Sequence, residues 1–253
     1  FCKSLNITDL VFLVGPPINA AGRIRSAFDS VKLLLCESPQ NPKDVETAKE
    51  LAEEIHKFNT QRKDLDSVAT ETAKKIIEAL SMIPAGSSLC YNNVTIVYKE
   101  DWHKGVVGIV ASRLVEAYYK PAIIFTRSTD DMYVGSARSI KEFDVHAALE
   151  QCSDLLEHFG GHKCAAGVSL RPENYEAFVA RFEQNVEEGL ADEQMVPEIM
   201  IDAEVSFADH ITPKFLRILE QFSPFGPDNN VPVFLSKNLV DTGFPRRAGS
   251  NHL

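Results

Sequence analysis

The chain has 253 residues, 44% of them hydrophobic and 25% charged, with a formal net charge of −10 at pH 7. These are the proportions of an ordinary soluble globular protein, long enough for one large or two smaller domains. No apolar run approaches the roughly 18–20 residues of a membrane-spanning helix, and the acidic balance excludes a uniformly basic nucleic-acid-coating surface.

Phe1 is not an initiator methionine, so a fragment or a processed form is expected, and nothing near it reads as a secretory signal. Leu10-Val11-Phe12-Leu13-Val14 is a short apolar run closed by Gly15-Pro16-Pro17, which predicts a buried strand stopped by a turn. Small residues follow up to Arg23, and Ala27–Leu35 reads as a helix. From Asp44 to about Ser81 there is no proline or glycine, and apolar residues from Val45 to Leu80 recur at threes and fours. A helix of that length spans about 55 Å and suits a rigid connector between two lobes. Asn59-Thr60-Gln61-Arg62-Lys63 interrupts its apolar stripe, which predicts a solvated face or, alternatively, contact with a lobe or ligand.

Pro84-Ala85-Gly86 ends the connector. Beyond it the expected order is a strand at Val94–Tyr98, a loop at Trp102-His103-Lys104, and a helix over Val106–Tyr119. Strands at Ala122–Phe125 and Val134–Ala137, a helix over Val145–His158, a strand at Gly167–Leu170 and a helix over Glu173–Leu190 follow. Such alternation indicates an α/β domain over about residues 86–195. Past Pro197, Ile199–Phe207 alternates like a strand with one exposed face. Thr212 caps a helix beginning at Pro213, Pro224-Phe225-Gly226-Pro227 is a loop, and strands start at Pro232 and Val240. This reads as the first part of a β-rich domain.

The five cysteines are scattered without Cys-x-x-Cys spacing, which argues against a disulfide framework or a zinc site and favours the cytoplasm. Acid is concentrated between Glu183 and Glu204, where eight acidic residues stand without a lysine or arginine. Basic residues accumulate instead between Lys104 and Arg171.

Three segments carry candidate chemistry. Trp102–Arg113 enters a helix through Gly105-Val106-Val107-Gly108, where free N–H groups attract phosphate, although close helix–sheet packing also accounts for the glycines. Ser136 and Arg138 stand two apart on a strand end, so both side chains share a face and can hold a phosphate together; a surface arginine beside a turn is the alternative. In Phe159–Gly167, glycines and alanines surround His162 and leave space for a ligand; a turn or close packing is the alternative. His158 and His162 lack the intervening Glu of a zinc-protease helix. No acid-rich cluster suits a divalent metal, and Ser136 lacks a nucleophile elbow.

Together these segments resemble the RecJ family, single-strand-specific 5′→3′ exonucleases of the DHH phosphoesterase superfamily. Gly15-Pro16-Pro17-Ile18-Asn19-Ala20-Ala21-Gly22-Arg23 is similar to the closing motif of its catalytic DHH domain, and Asn59–Lys63 to a patch on its interdomain helix. Trp102–Arg113, Gly135-Ser136-Ala137-Arg138-Ser139 and Phe159–Gly167 are similar to motifs of its DHH-associated substrate-binding domain. Pro224–Asn229 resembles the start of the OB-type domain that follows.

The resemblance implies an α/β fold in four parts: a DHH-domain remnant over residues 1–38, a long helix over 39–83, a DHH-associated domain with a mixed sheet over 84–196, and a partial OB-type domain over 197–253. It implies Mn2+ or Mg2+ in the intact enzyme, held by a DHH domain whose motifs are absent here. Ser136 and Arg138 are implied to hold a 5′-terminal phosphate, with Arg23, His103 and Ser139 as further substrate contacts. Gly160, Gly161 and catalytic His162 are implied to face the scissile region across the cleft. Pro17 stands where the family usually has arginine, so any phosphate contact of that arginine is lost or replaced. The implied partner is single-stranded DNA, in DNA repair and recombination, with a single-strand-binding protein or helicase beside a monomeric enzyme and no membrane. The alternatives are an inert nucleic-acid-binding module, or a phosphodiesterase for short RNA or small phosphodiesters.

Overall fold

The computed structural model describes residues 7–36, 40–81, 93–226, 228–240 and 243, and divides into two units at Pro197. The end of the connector at Pro84-Ala85-Gly86 and most of the strand expected from Val240 lie outside the described residues.

The first unit opens with α1 (Ile7–Asp9), a π-helical turn over Leu10–Val14, and α2 (Gly15–Ile24), followed by α3 (Phe28–Leu34). The strand expected at residues 10–14 is therefore wrong. A five-residue apolar run does not by its pattern separate strand from helix, and the two prolines sit in the first turn of α2, where their missing N–H groups cost nothing. Nor is the run buried: Phe12 is 70% exposed.

The connector is the 40-residue α4 (Pro42–Ser81). Its apolar stripe serves two neighbours in turn. Ile55 and Phe58 pack with Ala21 of α2, while Ala69 and Ala73 join the core beneath α5 (Val107–Tyr118). Between them Asn59 and Asp66 are buried and Arg62 is half-buried, so the expected solvated face holds only for the exposed Thr60, Gln61 and Lys63.

Five strands follow, β1 (Thr95–Tyr98), β2 (Ala122–Arg127), β3 (Tyr133–Arg138), β4 (His158–His162) and β5 (Ala165–Leu170), in the order β1-β2-β3-β5-β4. Only β1 and β2 are parallel, as befits strands joined through a crossover helix. One face of the sheet presents Ile123, Phe125, Ala137, Ala166 and Val168 to α6 (Val145–Glu150) and α7 (Tyr175–Gly189), where Phe178, Phe182 and Leu149 complete the main core. The other face is covered only in part. Val107, Val110, Ala111 and Leu114 of α5 cover Val97, Ala122 and Ile124, and beyond them this face carries the small Ala165, Gly167 and Gly160 with His158 and His162 at its edge.

The helix expected over Val145–His158 stops early. Asp144 caps α6 at Ala147 N, the helix ends at Glu150, and His158 already belongs to β4. Gly160 and Gly161 open strand geometry there, because β5 supplies a ladder of partners along the whole of β4.

In the second unit the expected nine-residue strand from Ile199 contracts to β6 (Ala203–Glu204), paired parallel with β7 (Phe234–Leu235). Thr212 caps α8 (Pro213–Glu220) by accepting a hydrogen bond from Phe215 N at 3.2 Å, as its sequence predicts. Phe215 meets Phe234 with ring centroids 5.5 Å apart.

Candidate functional site

Cross-strand register builds the site. Arg138 on β3 stands opposite Ala165 on β5, which stands opposite His162 on β4; one row further, Ser136, Gly167 and Gly160 align. Directly opposed residues in antiparallel pairs share a face, so all six lie on the face that α5 covers only in part. The result is a floor of Gly160, Gly167 and Ala165, with Ser136 and Arg138 at one side and His162 at the other.

The two glycines facing each other on that floor have no internal reason to be glycine. A Cβ on Gly160 would meet nothing within 4 Å, and one on Gly167 would reach only Gly160 O at 4.0 Å. Gly161 is different. Its φ is +152°, and a Cβ there would lie 2.2 Å from Ala165 O. Gly161 thus shapes the β4–β5 hairpin, while Gly160 keeps the floor clear.

Arg138 is tied to its neighbours without any carboxylate. Its Nη1 donates to Ser136 Oγ at 2.7 Å and to Ala137 O at 2.8 Å. Burial holds its pKa below the ordinary arginine value, and the positive charge of Arg23 pushes the same way. Arg23, at the end of α2, donates from Nη1 to Gly105 O at 3.3 Å. The α2 backbone comes so close that a Cβ on Gly105 would sit 2.0 Å from Arg23 O. Two guanidinium groups that repel each other are therefore held beside one cleft, and among the described residues neither forms an ion pair. Arg127, at the same cleft, is by contrast paired with Glu100 and Asp131.

The cleft has a volume of about 860 Å3 and is lined by Arg23, His103, Gly105, Gly108, Ser136 and Arg138 among others. Thr126 on β2 fixes its far wall by donating to Trp102 O at 2.7 Å, which anchors the loop carrying His103. Gly105 N donates to His103 Nδ1 at 3.0 Å, so that nitrogen is unprotonated and neutral His103 carries its proton on Nε2. His162 Nδ1 accepts from Cys164 N at 3.4 Å in the same manner.

The structure thus brings Arg23, His103, Ser136 and Arg138 to one cleft and places Gly160 and His162 on the adjoining floor. Ser139 stands apart, its hydroxyl donating to Phe143 O at 3.0 Å. Gly108, which the sequence marks only as part of a helix start, proves to lie against Arg138 and Ser136. A Cβ there would lie 2.9 Å from Arg138 Nη2 and 3.0 Å from Ser136 Oγ, so its absence lets the first turn of α5 close on both groups. The signal was the glycine at a helix start, which helix–sheet packing explained equally well.

Chemically, this arrangement suits a phosphate: unpaired arginines, a hydroxyl and a helix start converge in a partly desolvated cleft. It does not suit a metal ion. Among the described residues no group of three or more His, Cys, Asp or Glu side chains could hold one. His158 and His162, four apart on a strand, are separated by about 13 Å along the chain and do not chelate together.

Comparison with known proteins places this architecture. The DHHA1 domain family matches residues 88–188 and the RecJ OB domain family residues 201–253. The single-stranded-DNA-specific exonuclease RecJ of Bacillus subtilis (strain 168) is 35% identical over 230 residues, which are 90% of this chain and 27% of that protein. The crystal structure of RecJ from Thermus thermophilus in complex with Mn2+ superposes with a TM-score of 0.73 at 28% identity, over 90% of this chain and 31% of that one. The corresponding Mg2+ complex gives 0.71 at 27% identity, over 90% and 33%. The chain therefore spans about a third or less of the length of these relatives. With its DHHA1 and RecJ OB domains in sequence, and relatives of that name matching along nine-tenths of its length, the chain belongs to the RecJ family.

Proposed function

We propose that this chain is the substrate-binding portion of a 5′→3′ single-stranded-DNA exonuclease acting in DNA repair and recombination. The observation that carries the reading is the pair Arg23 and Arg138, held at one cleft with no carboxylate paired to either among the described residues, and with Ser136 bonded to Arg138 at 2.7 Å; of the acids that also line the cleft, Glu100 is paired with Arg127 and Asp101 with Lys99. A 5′-terminal phosphate supplies the missing negative charge. The strand then runs over the Gly160–Gly167 floor toward His162, where the absence of side chains lets a backbone approach closely. Neutral His103, with its proton on Nε2, can donate a hydrogen bond to a phosphate oxygen at the cleft wall.

The matched relatives support the substrate, being described as specific for single-stranded DNA, and the RecJ OB domain family supports a groove for extended strands. The Thermus complexes support Mn2+ or Mg2+ as the metal of the whole protein. Since the described residues do not fit such an ion, their part is positioning and charge stabilisation. The division at about residues 38, 83 and 196 is part of the proposal, supported by the change of neighbours along α4 and the break at Pro197. The free Cys36, Cys152 and Cys164 support a reducing, cytoplasmic setting.

Binding of a 5′-phosphorylated and a 5′-hydroxyl oligodeoxynucleotide to the 253-residue chain tests the reading. Two charge-assisted hydrogen bonds correspond to a preference of about a hundredfold for the phosphorylated strand. Arg138→Ala, still folded by circular dichroism, is expected to reduce that preference by about tenfold or more. An unchanged preference removes Arg138 from the site. Equal competition by a short RNA or a small phosphodiester transfers the reading to another substrate of the same chemistry.

A further inference from the structure

Asp66 lies at the middle of α4 and is completely buried. Its Oδ2 accepts from Arg113 Nη2 of α5 at 2.6 Å and faces Arg62 Nη1 at 3.5 Å, while its Oδ1 accepts from Thr70 Oγ1 at 3.4 Å. Arg62 is oriented in turn by Asn59, whose Oδ1 accepts from Nη2 at 2.7 Å. A buried carboxylate is tolerated only when paired and hydrogen-bonded, and apolar side chains at such a place commonly stabilise a fold as well or better. What an ion pair adds over apolar packing is direction.

The place of this joint gives the direction its use. On one side of it, Ile55 and Phe58 hold α2, which carries Arg23 in its last turn. On the other, Asp66 grips Arg113, five residues along α5 from Gly108, whose backbone closes on Arg138 Nη2 and Ser136 Oγ. Both cationic walls of the cleft are therefore referred to one helix. The charges of Arg23 and Arg138 oppose each other, so the walls come together only if the elements behind them are held in register.

We propose that Asp66, with Arg62, Arg113 and Asn59, is a positioning joint that sets the Arg23–Arg138 gap, and through it the affinity for a terminal phosphate that none of the four touches. This rests on the phosphate reading given above. The expected effect has the size of mutations that act on a site through a connecting network, about two- to thirtyfold.

The test uses Asp66→Asn, which keeps shape and removes charge, and Arg113→Gln, which cuts the link at its more exposed end, each in the full chain. Affinities are measured for a 5′-phosphorylated strand and for the same strand with a 5′-hydroxyl, and hydrogen exchange is followed over residues 105–113. The expected result is a loss of phosphate preference of about two- to thirtyfold with unchanged affinity for the hydroxyl strand, and faster exchange confined to the start of α5. Arg113→Lys, which restores the charge, recovers part of both. A preference retained in folded variants overturns the joint, as does an equal loss for both strands, the mark of a merely structural role. Should Asp66→Asn not fold, Arg113→Gln decides. If the wild-type chain shows no phosphate preference, it is the phosphate reading that fails, and exchange alone then decides the joint. Unaltered exchange at residues 105–113 overturns it.

Discussion

Gly108→Ala adds one methyl group at the start of α5 and separates binding from stability. The added Cβ would stand 2.9 Å from Arg138 Nη2 and 3.0 Å from Ser136 Oγ, each about half an ångström inside ordinary van der Waals contact. Neither neighbour is backbone. The end of a long side chain yields cheaply, so Arg138 is expected to swing away, straining its 2.7 Å bond to Ser136. The fold loses little by this. Alanine is favoured over glycine in a helix by about 1 kcal/mol in its interior, less in a first turn, which offsets the displaced contact. The net change in stability is expected within about 1 kcal/mol of zero.

Binding responds in the opposite sense. Losing one charge-assisted hydrogen bond to an anion costs about 1.5–3 kcal/mol, or about ten- to a hundredfold in affinity. Fluorescence anisotropy with 5′-phosphorylated and 5′-hydroxyl strands reads the ratio, and a urea titration reads stability. The result that refutes the reasoning is an intact preference in a variant as stable as wild type. Arg138, Ser136 and the α5 start would then not act on the same ligand.

The adjacent glycines of β4 make a second pair of predictions. Gly161→Ala, at φ +152° with its Cβ 2.2 Å from Ala165 O, is expected to destabilise the first unit by about 3 kcal/mol or more, read as a thermal shift. Gly160→Ala meets nothing and should leave the melting temperature unchanged while weakening strand binding; equal melting temperatures for the two variants would contradict the assignment of roles. Cys152 is predicted to resist thiol reagents at about pH 8 in the native chain while exposed Cys164 reacts, because burial pushes the Cys152 thiol up to about 11. Its folded value lies above the ordinary 9.0, so its contribution to stability is complete below about pH 9 and is lost as pH rises through about 11. Peptide mapping of labelled cysteines and alkaline denaturation check both, and labelling of native Cys152 at about pH 8 would refute the first.

What the sequence made legible was the content of each motif, and what it concealed was the arrangement between them. Ser136 and Arg138 declared their shared face because strand alternation is a local rule. The 40-residue connector declared itself by period alone. Leu10–Val14 was misread, and the strand His158–His162 was missed, for one reason: residue pattern constrains five residues less than their neighbours do. A Gly-Gly pair is poor strand material in isolation, and it is the five residues of β5 paired alongside it that make β4 a strand. The polar interruption of α4 was equally ambiguous until Arg113, 47 positions from Asp66, came into view.

The acidic balance of the chain and its proposed polyanionic ligand are reconciled by how charge is distributed locally. Most arginines near the cleft are already committed: Arg127 to Glu100 and Asp131, Arg113 and Arg62 to Asp66. Among the described residues Arg23 and Arg138 bond only to carbonyl and hydroxyl oxygens, which orient a guanidinium without cancelling its charge. Acidic residues therefore offset much of the cationic charge around the cleft and leave the guanidinium groups of Arg23 and Arg138 without an ion pair among the described residues. On the reading proposed above, the terminal phosphate of a strand is what meets these two arginines. That predicts a salt dependence of binding shallower than for a basic groove of similar length, about one to two released counterions for the 5′-phosphorylated strand beyond those of its 5′-hydroxyl counterpart. Anisotropy titrations from low to physiological salt measure both slopes. Equal slopes for the two strands would mean that the terminal phosphate is not what the two arginines meet.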